Sequence, residues 1–479
     1  MLGLIVFFVC LLALILGYVV YGRLAEKVYG FNLNTEMPCV KNPDGVDYVP
    51  LPTWKIFLIQ LLNIAGLGPV VGAVSGCLFG PVALLWIVLG CIFAGAMHDF
   101  LAAVMSTERN GANLPELVGE NLGEVARHAM RFVCIFLLVM VGVVFTLLPA
   151  GMLSNILGLT TPMGWSIIIL LYYFLATILP IQVIIGRLYP VFGAIFLFMA
   201  VGLFVTLPLS GYEVLPNLDF FSNYHPAGIS IWPMLFVTIA CGAISGFHAT
   251  QSPMMVRCTQ SARSVRRVFY GAMVVEGMVA LIWAVVGLSL REVIVADNAT
   301  LCQLTLTNPS AAVHAACNTL LGTYGGAVAV LGVVVLAITS GDTAMRSSRL
   351  MLADVLKVGQ VRALSRLALA MPLFLVVIVI SQLDFSVIWR YFGWGNQALA
   401  CFTLWSIAAC LRRRGRKSLI ALLPAVFMTC MCTTFLFYAK ECGIQLSIEL
   451  STGIGMVVTL VCGFAFLRCV RPCASKGSE

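Results

Sequence analysis

Apolar runs of about twenty residues recur along the chain, separated by short polar stretches. A membrane-spanning helix needs about 20 apolar residues. The runs predict spans at 2–20, 56–75, 79–105, 131–153, 164–185, 189–208, 231–256, 269–290, 323–344, 365–383, 386–411, 418–438 and 451–469, thirteen in all. The pattern is that of an all-α polytopic membrane protein. Between the spans, 112–130 reads as a surface helix starting near Asn113-Leu-Pro-Glu116, and 345–358, alternating basic and apolar, reads as another. Loop 21–55 carries Asn42-Pro-Asp-Gly45 and turns across one face.

Charge orients this array. With the N-terminus outside, loops 21–55, 106–130, 186–188, 257–268, 345–364, 412–417 and the tail face the cytoplasm. Together with the adjoining helix ends they hold all of the 28 Lys and Arg except Arg291, Arg390 and Lys440. Cytoplasmic loops carry the excess of Lys and Arg, so this asymmetry sets the orientation: a multi-pass protein of the inner (cytoplasmic) membrane, N-terminus outside, C-terminus cytoplasmic. The first run has no basic residue before it and is followed by Arg23 and Lys27, which reads as a first span, not a cleaved signal peptide. Arg346, Arg349 and the run Arg412 to Lys417 read as plain positive-inside charge, with inner headgroup anchoring as the alternative.

Only 10% of residues are charged and 61% are hydrophobic. A soluble domain carries about 25% charged residues, so a soluble enzyme and a disordered chain are excluded. The net charge of +8 reports loop orientation, and a nucleic-acid partner is not expected. Most of the 17 cysteines sit in apolar runs (Cys91, Cys134, Cys241, Cys401, Cys462) with no Cys-x-x-Cys pair, where free Cys acts as a small hydrophobe. Cys302 and Cys317 share one polar loop, either as a disulfide or as two thiols.

Two spans are interrupted. Span two reads Leu61-Leu-Asn-Ile-Ala-Gly-Leu-Gly-Pro-Val70, and span seven reads Cys241-Gly-Ala-Ile-Ser-Gly-Phe-His-Ala-Thr-Gln-Ser-Pro253. Proline inside a helix costs about 3 kcal/mol or more, and freed backbone groups at membrane depth need a cavity or protein partners. The two breaks lie five spans apart, in helices of opposite direction. This pattern gives two five-helix units of inverted topology, 56–208 and 231–411, with the site at their interface, as in secondary transporters. The helix at 1–20, the loop at 21–55, and the two helices and basic tail of 412–479 are additions.

The run Asn63-Ile-Ala-Gly-Leu-Gly-Pro69 resembles the first broken helix of LeuT-type transporters. Ile338-Thr-Ser-Gly-Asp-Thr343 is similar to their helix that supplies hydroxyls to a sodium site. More specifically, the chain resembles the carbon starvation protein A family. The resemblance rests on Asp47-Tyr-Val-Pro-Leu-Pro-Thr-Trp-Lys55, Gln60-Leu-Leu-Asn-Ile-Ala-Gly-Leu-Gly-Pro69, Ala94-Gly-Ala-Met-His-Asp99, the span-seven run and the Ile338 run. It implies a LeuT-like five-plus-five fold and uptake of pyruvate or short peptides, proton-coupled in the pyruvate carriers. Larger members of that family carry further C-terminal helices.

Ionisable groups inside spans default to functional hypotheses. Five stand out: His98, Asp99, His248, Glu276 and Asp342, with no Lys or Arg at mid-depth. A carboxylate substrate then needs the free N–H groups of a half-helix, which Asn63, Gly66 and Gly68 frame. Ser245, His248, Thr250 and Gln251 complete that pocket, and Trp394, Asn396 and Gln397 close it from outside. His248 reads alternatively as a neutral imidazole bonded to a carbonyl. His98, Asp99, Glu276 and Asp342 are the proton-coupling candidates, each with a structural hydrogen-bonding role as the alternative. His98 and Asp99 are helix neighbours, which do not face each other, so whether they act as one unit or separately is left open by the spacing. Thr339 and Ser340, with carbonyls of Leu62 and Ala65, define a rival sodium site, since a hard cation takes oxygen ligands. No cofactor is expected beyond the coupling ion. A channel would need lining rings or a filter, an enzyme a nucleophile elbow or phosphate loop, and a sensor an output domain; none is evident.

Overall fold

A computed structural model describes residues 1–181, 185–296, 298–383, 385–440 and 444–472. The expected tail beyond 472 and the side chain of Arg390 lie outside the described residues. The chain is a bundle of helices: α1 (Leu2–Tyr29), α2 (Thr53–Ile64), α3 (Gly68–Phe79), α4 (Val82–Glu108), α5 (Leu114–Leu122), α6 (Glu124–Leu157), α7 (Pro162–Ile178), α8 (Ile185–Leu209), α9 (Ile231–Thr238) and α10 (Gly246–Val256). There follow α11 (Ala262–Ser289), α12 (Leu301–Thr307), α13 (Pro309–Leu356), α14 (Ala363–Ile380), α15 (Phe385–Arg413), α16 (Leu419–Tyr438) and α17 (Ile448–Cys469). Among the described residues, nine helices are long and apolar enough to cross a membrane, and the bent pair α2–α3 makes a tenth. The other expected spans fall on the shorter α7, on the interrupted α9–α10 and on α15.

Three boundaries differ from the sequence reading. Span 164–185 ends at Ile178, where Leu179 turns to extended backbone before Pro180, because the residue before a proline is driven out of the helical region. The surface helix of 112–130 is only α5: Gly123 adopts φ +100° and 124–130 already belong to α6. Segment 345–358 is no separate surface helix. It is the end of α13, with Arg346 and Arg349 fully buried.

Helix α13 is two helices joined at a kink at Gly322, φ +69°, a backbone region that favours glycine. Between α11 and α12 lies a small hairpin, β1 (Ile294–Ala296) with β2 (Ala299–Thr300), and α12 starts in a capping box between Thr300 and Gln303. Cys302 and Cys317 are free thiols. The core sits around the two interrupted helices: Leu62, Ala65, Leu67, Ile239 and Ile244 are all fully buried. Long exposed apolar side chains such as Leu12, Leu171, Met371 and Leu460 cover the outer helices, as expected of a surface facing hydrocarbon.

Candidate functional site

The first break follows Ile64. Ala65 leaves the helical region, and α3 departs from α2 at 55°. Its glycines permit close approach. A Cβ on Gly66 would sit 2.6 Å from the Phe145 ring and 3.1 Å from Ser340 Oγ, and one on Gly68 would overlap Cys241. The second break, residues 239–245, therefore lies directly against the first. Asn396 on α15 organises it: its Oδ1 accepts from Ser245 Oγ at 3.0 Å and from the Phe247 N–H at 2.8 Å, capping the buried start of α10.

A cavity of about 390 Å³ opens where the breaks meet, bounded by Gly68, Ser75, Cys241, Trp389, Phe392 and Asn396 among others. Its walls come from α3, α9 and the beginnings of α13 and α15, all on one side of the breaks. Of the expected substrate groups, Gly68 and Asn396 line it and Ser245 touches Asn396. The others do not reach it. Trp394 donates its indole N–H to the Cys432 carbonyl at 3.1 Å, and Gln397 donates to the Phe236 carbonyl at 3.4 Å. Thr250 bonds the Phe247 carbonyl, and Gln251 bonds Thr250 and accepts from Ser347. Gly66 is taken up by packing on Phe145. Helical rotation explains these departures: residues one or two apart point to different neighbours.

Asn63 is fully buried, and neither polar atom of its amide has a partner among the described residues; the same is true of Gln60, one turn earlier. Gln60 was passed over in the sequence, although an amide three residues before Asn63 on one helix face was the available signal.

Behind the cavity runs a fully buried chain of ionisable groups. His98 Nδ1 lies 2.8 Å from Asp99 Oδ1, Asp99 Oδ2 lies 2.9 Å from His248 Nδ1, and His248 Nε2 lies 3.5 Å from Glu276 Oε2. The chain joins α4, α10 and α11. His98 and Asp99 thus do form one unit, which the spacing left open, because the two oxygens of Asp99 reach the two rings in different directions. Glu276 accepts no hydrogen bond from any described residue. Asp342 is elsewhere, held by Tyr172 Oη at 2.6 Å and Tyr189 Oη at 2.8 Å. Nothing in the apolar runs holding these two tyrosines marked them as its partners.

The expected sodium ligands are partly assembled. Thr339 Oγ1 and Ser340 Oγ lie 2.9 and 3.3 Å from the Leu62 carbonyl. Ala65 begins the break beyond, its N–H bonded to the Leu61 carbonyl.

At the opposite side of the breaks the bundle is closed by an ion-pair cluster. Asp47 binds Arg346 at 2.9 Å and Arg349 at 3.0 Å, and all three side chains are buried. Headgroup anchoring of the two arginines is therefore corrected: burial requires a counter-charge, and loop 21–55 supplies it. Arg346 also bonds the carbonyls of Ala176 and Leu179, and Arg366 that of Ile178. The loop is strapped down through Leu51 N–H to the Cys258 carbonyl and Ile181 N–H to the Val46 carbonyl. Burial pushes the Asp47 carboxyl up, but Arg349, Arg346 and Arg257 more than offset this and hold it below its ordinary value.

Comparison with known proteins places this architecture. Residues 2–164, 150–320 and 311–435 match the family described as carbon starvation protein CstA. An uncharacterized membrane protein of Haemophilus influenzae is 41% identical over 60% of this chain and 91% of its own length. The Bacillus subtilis peptide transporter CstA is 28% identical over 57% of this chain and 56% of its own. The Escherichia coli pyruvate/proton symporter BtsT is 27% identical over 56% and 47%. The aligned part is thus about half of the length of those two transporters. Among solved structures, a nucleobase-cation-symport-1 family transporter in a closed conformation aligns with a TM-score of 0.55, covering 91% of this chain and 97% of its own at 13% identity, which speaks to the fold alone. With a LeuT-like helical fold and family matches along most of its length, the chain belongs to the carbon starvation protein CstA family.

Proposed function

We propose that this protein is a proton-coupled secondary transporter taking up short peptides, with pyruvate-like carboxylates as smaller competitors. The observation that carries the reading is the placement of a cavity at the meeting of two helix breaks, with a buried titratable chain immediately behind it. The positive-inside rule puts the arginine-rich end in the cytoplasm. The cavity then faces outward while Asp47, Arg346 and Arg349 hold the inner side shut. The two breaks, five expected spans apart, support two inverted five-helix units moving about a fixed midplane site.

Size favours peptides. A water occupies about 30 Å³ of liquid, so about 390 Å³ corresponds to roughly a dozen waters. Pyruvate has six non-hydrogen atoms and dialanine eleven. The aromatic walls suit apolar side chains, the Gly68 N–H at the start of α3 suits a carboxylate, and the unwound carbonyls of 239–245 suit an ammonium group.

For coupling, Glu276 is the group with no donor of its own, and a buried bare carboxylate is costly. A proton arriving there from the His98–Asp99–His248 chain removes that cost. Asp342 already accepts from two hydroxyls and is supported as a carboxylate. Sodium is the second reading, favoured by the convergence of Thr339, Ser340 and Leu62.

The test is uptake into liposomes of a labelled dipeptide and of labelled pyruvate under an imposed proton or sodium gradient. Dipeptide accumulation that follows protons and is lost in Glu276→Gln supports the reading. Accumulation driven by sodium alone moves the coupling to Thr339 and Ser340. No accumulation of either solute under either gradient refutes it.

A further inference from the structure

Cys241, on the cavity wall, and two residues buried behind it form an arrangement that proton relay does not account for. Cys241 Sγ, a nitrogen of His248 and a carboxylate oxygen of Glu276 all lie within 4.8 Å of one another, and all three residues are buried. We propose that these three side chains bind a divalent cation of the borderline-soft class, with Zn²⁺ as its representative.

Four features point to a cation. The donor set is right: thiolate, imidazole and carboxylate are the ligands such a cation prefers. Two of the three donor groups are unclaimed: His248 Nε2 and both Glu276 oxygens have no hydrogen-bond partner among the described residues, and the ion pair of Glu276 to His248 is long at 3.5 Å, while Cys241 Sγ makes only long contacts, donating to Ser245 Oγ at 3.7 Å and accepting from the Asn396 amide at 3.8 Å. The imidazole is already aimed. Asp99 Oδ2 lies 2.9 Å from His248 Nδ1, and His98 in turn lies 2.8 Å from Asp99. A carboxylate behind a ligating histidine fixes the tautomer, presents Nε2 and raises its basicity. Finally, the three ligands come from different parts of the fold, the unwound segment, the start of α10 and the middle of α11, and Cys241 lines the cavity. Three protein ligands leave a fourth coordination position free, the pattern of sites that exchange that ligand, and Cys241 is the ligand that borders the solute space.

The groups facing the site are His98 and Asp99 on α4, Cys91 packed against Gly277 on the α11 side, and Asn396, whose amide lies 3.8 Å from Cys241 Sγ. Cation binding displaces the Cys241 thiol proton to solvent through the cavity, and a proton on Glu276 if one is present. It therefore competes with the proton at the groups assigned above to coupling. The site is a lock on the transport cycle: occupied, it ties the unwound segment of 239–245 to α11.

The test uses the purified full-length protein, stripped with a chelator and titrated with Zn²⁺ alone, read by X-ray absorption at the zinc edge and by calorimetry. The expected result is one tight site whose first shell contains one sulfur at about 2.3 Å and nitrogen or oxygen at about 2.0–2.1 Å. Cys241→Ser removes the sulfur scatterer and weakens binding by tenfold or more, while Cys469→Ser, at an exposed thiol, changes neither. A first shell without sulfur in the unmodified protein overturns the proposal, as does an unchanged spectrum in a Cys241→Ser protein that remains monodisperse. Because these readouts need no transport, they stand apart from the liposome assay. A protein that binds Zn²⁺ as described but moves no peptide retains the site and loses the transport reading.

Discussion

Replacing Asp47 by Asn is the sharpest perturbation that the closed end offers. Asp47 is 1% exposed, and its carboxylate pairs with two guanidinium groups at 2.9 and 3.0 Å, both fully buried. An amide keeps the shape but removes the counter-charge. Removing one partner of a buried ion pair costs about 3–5 kcal/mol. If opening this end hydrates both arginines, the cost falls on the closed state alone. At about 1.4 kcal/mol per tenfold, the closed-to-open ratio falls by roughly two to three and a half orders of magnitude. The strap provides its own reporters. Cys258 Sγ lies 3.5 Å from the Asp47 carbonyl, Cys39 Sγ donates to the Thr259 carbonyl at 3.1 Å, and both thiols are buried. Maleimide labelling in detergent, resolved by mass spectrometry against the exposed Cys469, is expected to speed up at Cys39 and Cys258 by about a hundredfold or more. Labelling within about twofold of the unmodified rate, in a protein that remains monodisperse, refutes the idea that this cluster holds the end shut.

Other perturbations follow from the same geometry. The Asp47 carboxyl is held below its ordinary value near 3.9, so its contribution is complete above that value and lost as pH falls through the lower folded one. Labelling of Cys258, divided at each pH by that of the same thiol in the denatured protein to remove the intrinsic loss of thiolate, is accordingly flat from pH 8 to pH 5, and any proton dependence of uptake in that window arises elsewhere. Gly246→Ala puts a Cβ 2.4 Å from the Ala400 nitrogen and 2.5 Å from the Asn396 carbonyl oxygen. Backbone atoms on both sides leave no room, so the variant is expected to melt well below the parent, whereas Gly453→Ala, with open space around it, leaves the melting temperature unchanged or slightly raised. Asn396→Ala leaves Ser245 and the Phe247 N–H without an acceptor. It is expected to cost about 1–3 kcal/mol in a denaturation measurement and to weaken substrate affinity. Thr339→Val with Ser340→Ala strips both hydroxyls from the Leu62 carbonyl, and uptake driven by protons is expected to survive it, measured in the same liposomes.

The interruptions at Gly66–Pro69 and Cys241–Ser245 could be read from the chain because glycine and proline act locally: each changes what its own backbone can do. The long apolar runs were legible for the same reason. What escaped were choices of partner. Arg346 and Arg349 looked like any basic pair after a span. Only the return of a loop three hundred residues away, carrying Asp47, turns them into a buried cluster. His98 and Asp99 are neighbours that the helical period sets apart, yet a carboxylate with two oxygens bridges two rings from different helices. Trp394 sits two residues from the cavity-lining Asn396 and was expected there, but a carbonyl of α16 captures its N–H. Periodicity names a face. It does not name what stands opposite.

The kink at Gly322 leaves 323–356 as one straight piece of α13. At 1.5 Å per residue it is about 50 Å long, and it passes Thr339, Ser340 and Asp342 before reaching Arg346 and Arg349, while the segment before the kink, from Pro309, borders the cavity. Such a rod behaves as a lever pivoted near the bundle's middle. A tilt of about ten degrees carries each end about 4 Å, in opposite directions. That displacement exceeds the 2.9 and 3.0 Å contacts to Asp47, so the swing that parts the ion pairs at one end shifts the Gly322 kink at the other, and with it the joined segment whose Pro309 and Ser310 border the cavity. Both ends open at once only if the rod bends, and its unbroken helix between Gly322 and Leu356 resists that.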